Sequence, residues 1–214
     1  NAFESLETQY RFKRDSVLIS LDIKSYFYSV AFSFNDLEDY FDDHELLKNI
    51  RYLTGIIEKA YAVYYSKICP FRRDIGWMKK KHYPLPIGLF SSMVLGNIYL
   101  NVFDKCISHM SGMIYYGRYV DDLLMVVDRT VSKGKSASDI LDDIFVKTGV
   151  LQKEGNNYTF SNYKGLSVQG DKVKLLYIDH TESKAIIDIY NDTIKIVPSQ
   201  MDPLPDSNIS LSNF

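Results

Sequence analysis

The spacing of hydrophobic positions changes several times along the chain, and each change marks an element. Val17 to Leu21 is an unbroken β-branched and aliphatic run, predicting a buried strand that delivers Asp22 at its C-terminal end. From His44 to about Ser66, Leu46, Leu47, Ile50, Leu53, Ile57, Ala60, Tyr61 and Tyr64 recur at helical spacing. That spacing predicts a long amphipathic helix with one face in the core. Leu95, Ile98, Tyr99, Val102 and Phe103 predict a second long helix, Ser92 to about His109, entered through the Gly-containing turn Leu85 to Ser92. The apolar stretches Met113 to Tyr116 and Leu123 to Val127 flank Tyr119-Val120-Asp121-Asp122 and read as a hairpin with Asp121 and Asp122 at its tip. Ile140, Leu141, Ile144 and Phe145 predict a helix over Asp139 to Lys147, capped by Ser136 or Ser138 and ended by Gly149.

Beyond Gly149 the period becomes two. Lys172 to Ile178 and Ala185 to Tyr190 read as antiparallel strands joined at His180 to Ser183, with Thr193 to Val197 a further strand. Between the first strand and the first long helix, Asn35 or Asp36 would cap a short helix carrying Leu37, Tyr40 and Phe41. Asn1 to Arg14 is polar and mixed, and 201–214 is polar with two prolines, a linker or tail.

Composition changes this picture little: 46% hydrophobic and 24% charged residues over 214 positions are enough for a globular core in one or two small domains. The surplus of aromatics, 17 Tyr and 12 Phe, suits packed faces that also meet bases and sugars, although core packing alone accounts for most of it. A formal net charge of −2 gives no global attraction to nucleic acid, so phosphate binding must come from local patches. The segment Lys67 to His82 is one such patch. It carries Arg72, Arg73, Lys79, Lys80 and Lys81 with Phe71 and Trp77 among them, and reads equally as a nucleic-acid track or as an exposed loop with ordinary lysines. Cys69 and Cys106 have neither zinc-ligand nor disulfide spacing. With no membrane-length apolar run and no signal-peptide pattern, a reducing, cytoplasmic setting without a membrane partner is the expectation. The chain opens at Asn1 within an organised segment, so a fragment of a longer protein is expected.

Candidate chemistry centres on Asp121 and Asp122. Adjacent carboxylates beside an apolar hairpin are costly unless neutralised, and a divalent cation neutralises them well; a solvated Asp-Asp turn is the plainer alternative. The acids Asp36, Glu38, Asp39, Asp42 and Asp43 read as a solvated face near a helix N-terminus.

Three segments in order carry a resemblance. LISLDIKSYFYSV resembles motif A of reverse transcriptases, LPIGLFSSMVLGNIYLNVFDK resembles motif B, and YYGRYVDDLLMVV resembles motif C, with a matching gap between B and C. The likeness spans about Arg11 to Ile189. It implies an α+β polymerase palm over about 1–200: a small antiparallel sheet packed on helices, with metal-binding acids at the sheet's exposed edge and fingers and thumb largely absent. In it motif A lies near 17–30, motif B near 85–105, motif C near 115–127 and motifs D and E near 136–190. Ile87 and Met93 depart from the common Gln and Pro of motif B, and LLYIDHTES replaces a Leu-Gly motif E. These departures resemble bacterial defence-associated, abortive-infection type enzymes more than retroviral or group II intron ones.

The resemblance implies RNA-directed DNA polymerisation, with deoxynucleoside triphosphates as substrates and two Mg²⁺ ions, or Mn²⁺, as cofactors. Asp22 and Asp121 would bridge the metals, Asp122 would support them, and the Ile23 carbonyl would be a further ligand. Phe27 falls at the steric-gate position that excludes a ribose 2′-OH. Gly88 and Ser91 would lie under the incoming base and template, Tyr119 beside the primer end, and Lys164 at the motif D lysine that protonates pyrophosphate. The partners implied are an RNA template, a DNA or protein primer, and a second copy or accessory protein. Two rivals remain: a template-independent or protein-primed polymerase of the same fold, and an inactive palm that scaffolds nucleic acid.

Overall fold

The computed structural model describes residues 2–39, 44–71, 78–128, 137–155, 157–168 and 172–180. Among them the architecture is α+β, with small antiparallel sheets and helices packed on them. The organising unit is a four-stranded sheet of order β4-β5-β1-β9, where β1 is Ser16–Asp22, β4 Met113–Tyr119, β5 Asp122–Asp128 and β9 Lys174–Ile178. β1 is central because it can be buried on both faces. Val17, Ile19 and Leu21 face the main core with Leu123, Met125 and Val127 of β5. Leu18 and Val126 face the other way, onto Ala2 and Leu6 of helix α1 (Ala2–Arg11). A strand buried on both sides reads as a continuous apolar run rather than an alternation, which is why Val17 to Leu21 was legible.

Helix α1 has no counterpart in the sequence reading, where 1–14 is only polar. Its apolar stripe is short, Ala2, Leu6 and the half-buried Tyr10, and it covers the smaller face of the sheet. After β1 come a four-residue helical turn, α2 (Tyr26–Ser29), a two-residue β2 (Phe32–Ser33) and a 3-10 turn over Phe34–Asp39. Asn35 and Asp36 lie inside that 3-10 turn instead of capping a helix, while Tyr40, Phe41, Asp42 and Asp43 lie outside the described residues. The long helix α3 runs His44–Ile68. Its burial falls short of the expectation: Tyr61 is fully buried and Ile50 and Ile57 pack against the core, but Leu46 and Leu53 are exposed.

The helix expected over Ser92 to His109 is two, α4 (Phe90–Tyr99) and α5 (Asn101–Ser108), broken at Leu100, whose φ of −95° and ψ of 9° leave the helical region. Two-residue β3 (His82–Tyr83) pairs with β2 before them. After β5, α6 (Ala137–Leu141) continues as a π-helical turn over Asp142–Val146. Ser138 sits within α6 rather than capping it, and Ser136 lies outside the described residues. A second small sheet, β6 (Leu151–Glu154), β7 (Asn157–Phe160) and β8 (Ser167–Val168), follows; its strands are too short to show a period of their own. β9 confirms the strand expected near Lys172 to Ile178 but pairs with β1; 181–214, with the expected partner strand at Ala185 to Tyr190, the strand at Thr193 to Val197 and the tail, lie outside the described residues.

The π turn is held to the second sheet by Asp142, which accepts from Lys153 Nζ at 2.6 Å and from the Tyr158 hydroxyl at 2.7 Å. The lysine bond, and then the tyrosine bond, hold the Asp142 carboxyl below its ordinary range against the opposing effect of desolvation. A depressed carboxyl stabilises the fold above its unfolded pKa of about 3.9 and loses that contribution as pH falls through the folded value. Asp142→Asn is therefore expected to lower stability at neutral pH by about 0.5–1 kcal/mol and to flatten the acid side of a urea-denaturation profile.

Candidate functional site

The register between β1 and β5 assembles the carboxylates. Ser16 pairs with Asp128, and six steps later Asp22 falls directly opposite Asp122. Even-numbered residues of the two strands share the face that carries Leu18 and Val126, so both carboxylates emerge on that side. Directly opposed residues in an antiparallel pair hold their Cβ atoms about 4.5–5.5 Å apart, and like charges there repel. Asp121 joins them through the turn, because the Ile23 N–H donates to the Asp121 carbonyl at 3.0 Å. Ile23 itself is fully buried and bridges on its other side to Val168.

Two details correct the sequence reading. The hairpin's tip is Val120 and Asp121, with Asp122 already the first residue of β5 and paired to Tyr119. Val120 takes a φ of 58°, a left-handed conformation that a β-branched residue adopts only when surrounding contacts impose it. The acids also lie at the ends of the two central strands rather than at the sheet's edge. Central strands are the better place, since each is fixed on both sides by its ladder.

The contacts that impose the turn come from Arg118, a residue the sequence reading passed over. Its side chain is only 5% exposed. It donates to the Val120 carbonyl at 2.7 Å, to Asn97 Oδ1 at 3.0 Å and the Asn97 carbonyl at 2.9 Å, and to Asp104 through Nε at 2.8 Å and Nη2 at 2.6 Å. Tyr116 adds its hydroxyl to Asp104 at 2.5 Å. Burial opposes the guanidinium charge, but the Asp104 bonds outweigh it and raise the Arg118 pKa; burial and then Asp104 also push the Tyr116 hydroxyl up, keeping it a donor. The hairpin tip is thus bolted to α4 and α5. A charged residue inside the apolar run before Tyr119 was the available signal, since a buried arginine needs an acid nearby.

Asp121 is half-buried, and its carboxyl is raised by desolvation and by Asp22, with Lys172 and Arg118 pulling the other way. Lys172 Nζ lies 3.1 Å from Asp22 Oδ2. The bond to Asp22, and then the charges of Asp22, Asp122 and Asp121, raise the Lys172 pKa and hold it charged. Carboxylate oxygens are the donor type that Mg²⁺ or Mn²⁺ takes. Among the described residues, however, only Asp15, Asp179 and His180 already hold three ligand atoms within 4.8 Å of one another, so Asp22, Asp121 and Asp122 would have to draw together around an ion.

The remaining candidates divide. Phe27 is half-buried, edge-on to Tyr26 at 6.0 Å, and its carbonyl accepts from the Leu85 N–H at 2.7 Å, joining the segment that follows β1 to the turn that precedes α4. Gly88 is exposed with a φ of +89°, a conformation that any other residue would strain to hold. Ser91 lies 3.3 Å from the Tyr61 hydroxyl, which also meets the fully buried Ser92 at 2.9 Å, while Ser92 donates to the Pro86 carbonyl at 2.6 Å. Ser92 and Tyr61 therefore hold the turn that presents Gly88 and Ser91. Tyr119 is 52% exposed. Lys164 lines a mixed polar and apolar groove with Glu154, Phe160, Asn162 and Leu166, whereas the lysine set against Asp22 is Lys172. Lys79, Lys80 and Lys81 are exposed; Arg72 and Arg73 lie outside the described residues.

At the other end of β1, Asp15 accepts from the His180 N–H at 3.0 Å and lies 2.8 Å from its Nδ1, with Asp179 at 3.6 Å. This Asp-Asp-His cluster is partly exposed and stands the length of β1, about 20 Å, from the carboxylates. Cys69 and Cys106 are free thiols, and among the described residues no helix is long and apolar enough to cross a membrane. The chain matches no protein-family model and no curated protein.

Arg118→Met is expected to destabilise the chain by about 3–5 kcal/mol in chemical denaturation, because it strands Asp104 and frees the Val120 carbonyl. Adding Asp104→Asn should recover part of that loss, a non-additivity that a double-mutant cycle reads directly.

Proposed function

We propose that this chain is the palm of a reverse transcriptase, an RNA-directed DNA polymerase that adds deoxynucleotides by two-metal nucleotidyl transfer, in the manner of bacterial enzymes of antiphage defence. The observation that carries the reading is the register that sets Asp22 opposite Asp122, with Asp121 tied to Ile23 at the turn. It sets Asp22 beside Asp122, with Asp121 at the adjoining turn, a neighbourhood that the distance between Asp22 and the pair in sequence does not require. A reducing, cytoplasmic setting is part of the proposal.

In this reading Asp22 and Asp121 hold the cations, with Asp122 behind them and the Ile23 carbonyl as a further donor. Cations bound there would ease deprotonation of the primer hydroxyl and neutralise the leaving pyrophosphate. The protein's own work is positioning: Arg118 fixes the turn, the ladder fixes Asp22, and the Phe27 ring stands five residues past Asp22, where it would meet a ribose 2′-OH. Gly88 and Ser91 offer an open turn for base and template. The exposed lysines Lys79, Lys80 and Lys81 would meet the nucleic-acid backbone.

A second reading, untemplated or protein-primed synthesis by the same fold, is favoured by one observation. Ile87, 59% exposed, offers an apolar side chain where related enzymes place an amide against the incoming nucleotide. An inactive scaffold is disfavoured by the carboxylates, since binding alone gains nothing from opposing like charges.

The test is incorporation of labelled deoxynucleotides by the intact parent protein with Mg²⁺ or Mn²⁺, with and without a primed RNA template. Asp121→Asn with Asp122→Asn is expected to lower incorporation by at least about a thousandfold, the scale of removing a metal-ion contribution worth several kcal/mol. Product complementary to the template selects the first reading; product without a template selects the second. No incorporation under any condition would overturn both. Phe27→Ala is expected to leave deoxynucleotide incorporation within about tenfold while ribonucleotide incorporation rises, because discrimination by a steric clash is worth about 1–3 kcal/mol. Unchanged discrimination in a competition assay would make Phe27 a packing residue only.

A further inference from the structure

Three strands present one paired row at the end of the sheet, and the turn that leads into β9 adds a cation beside it. Tyr119 of β4 pairs with Asp122 of β5, and Asp122 pairs with Asp22 of β1. On the other side of β1, Ser16 pairs with Ile178 and Ser20 with Lys174 of β9. That pairing ends at Lys174; Lys172 lies two residues before β9, in a 3-10 turn, and its ammonium reaches to 3.1 Å from Asp22 Oδ2. Asp22 is therefore flanked by a carboxylate on one side and an ammonium on the other.

We propose that Lys172 is a resident counter-cation of this site, which occupies the Asp22 carboxylate in the cation-free protein and must be displaced when a divalent cation binds. The proposal rests on the metal reading of Asp22, Asp121 and Asp122. Its physical content is a competition. Asp22 Oδ2 faces the ammonium, and a dication on the same oxygen would stand within about 4 Å of it, where two positive charges repel strongly in a partly buried site. The Asp22 side chain is 20% exposed, so solvent screens that repulsion incompletely.

Lys172 is also built to leave. Its side chain is 53% exposed and ends a flexible four-carbon stem that can swing the ammonium into water. Arg118 is the opposite case: five donors, 5% exposure and bonds to Asp104, Asn97 and the Val120 carbonyl hold it in place. One cation is structural and the other exchangeable. The consequence is that the free protein binds a divalent ion more weakly than three carboxylates otherwise would. The site then holds the Asp22 charge compensated until a cation arrives, and a triphosphate that brings its own cation supplies the anionic group to which the displaced lysine can turn.

The experiment is Mn²⁺ binding to the full chain, without nucleotide, by calorimetry and by the loss of free Mn²⁺ signal in electron paramagnetic resonance. Lys172→Met is expected to tighten Mn²⁺ binding about three- to tenfold at low salt, and Lys172→Arg, which keeps the charge, to leave it weak. The difference should shrink at about 1 M salt, where the Debye length is about 3 Å. Asp22→Asn and Asp121→Asn, each abolishing the binding, assign it to this site. Equal affinity in the unaltered chain, Lys172→Met and Lys172→Arg would overturn the competition while leaving the metal reading standing. No Mn²⁺ bound by any of them would remove the metal reading itself, and the proposal with it.

Discussion

The antiparallel register between β1 and β5 is the constraint on which the rest depends. It places the main-core residues Val17, Ile19 and Leu21 beside Val127, Met125 and Leu123, and by the same alternation it puts Asp22 against Asp122. A slip of one residue would turn every core side chain outward and separate the acids together, so packing and site are specified by a single choice. Burial on both faces of β1 makes that choice costly to get wrong. The hydrophobic core, which has no chemistry of its own, thereby fixes the position of groups that have it.

What the register brings together, electrostatics pushes apart. Opposed Asp22 and Asp122, with Asp121 half-buried beside them, form an arrangement that a sequence selected only for stability would avoid. The fold holds it by two different means. Arg118, spanning Val120, Asn97 and Asp104, fixes the turn from behind and draws its rigidity from several bonds made by a guanidinium that is itself almost buried. Lys172 approaches from the open side and draws its hold from the acids themselves. The left-handed Val120 is the visible cost of the first: strain at one backbone position is accepted because several hydrogen bonds over-determine it.

The strands that carry the acids were legible because burial on both faces leaves an unbroken apolar run, and the acids because they interrupt one. Charge inside the run was also visible at Arg118, but its partner Asp104 lies in another element, and a pairing between distant charges leaves no periodic trace. Lys172 was hidden for a related reason. Its place beside Asp22 is set by the turn that leads into β9, whose pairing with β1 a strand's own pattern does not announce. Helix α1 was missed because a stripe of Ala2, Leu6 and Tyr10 is too short to stand out among polar neighbours. The break at Leu100 was missed because the apolar positions on either side keep helical spacing while the backbone between them leaves it.

The acids are half of the candidate site, and the other half is tied to them by covalent proximity as much as by packing. The chain leaves Asp22 through a tight turn in which Ser25 takes a φ of 49°, and it enters α2 at once. Tyr26 is then buried with its hydroxyl on the Gly96 carbonyl at 2.5 Å, a close approach that glycine eases, since a Cβ at Gly96 would come within 3.1 Å of Leu85 Cδ1 and 3.2 Å of the Tyr26 ring and push both aside. Phe27 follows, its carbonyl bonded to Leu85 at the head of the turn that carries Gly88 and Ser91. Five residues thus link a carboxylate to an aromatic ring and, through two hydrogen bonds, to the whole α4 turn. A substrate held against that turn would be placed relative to Asp22 by short, rigid connections, and geometry of this kind is what in-line transfer between two bound groups demands.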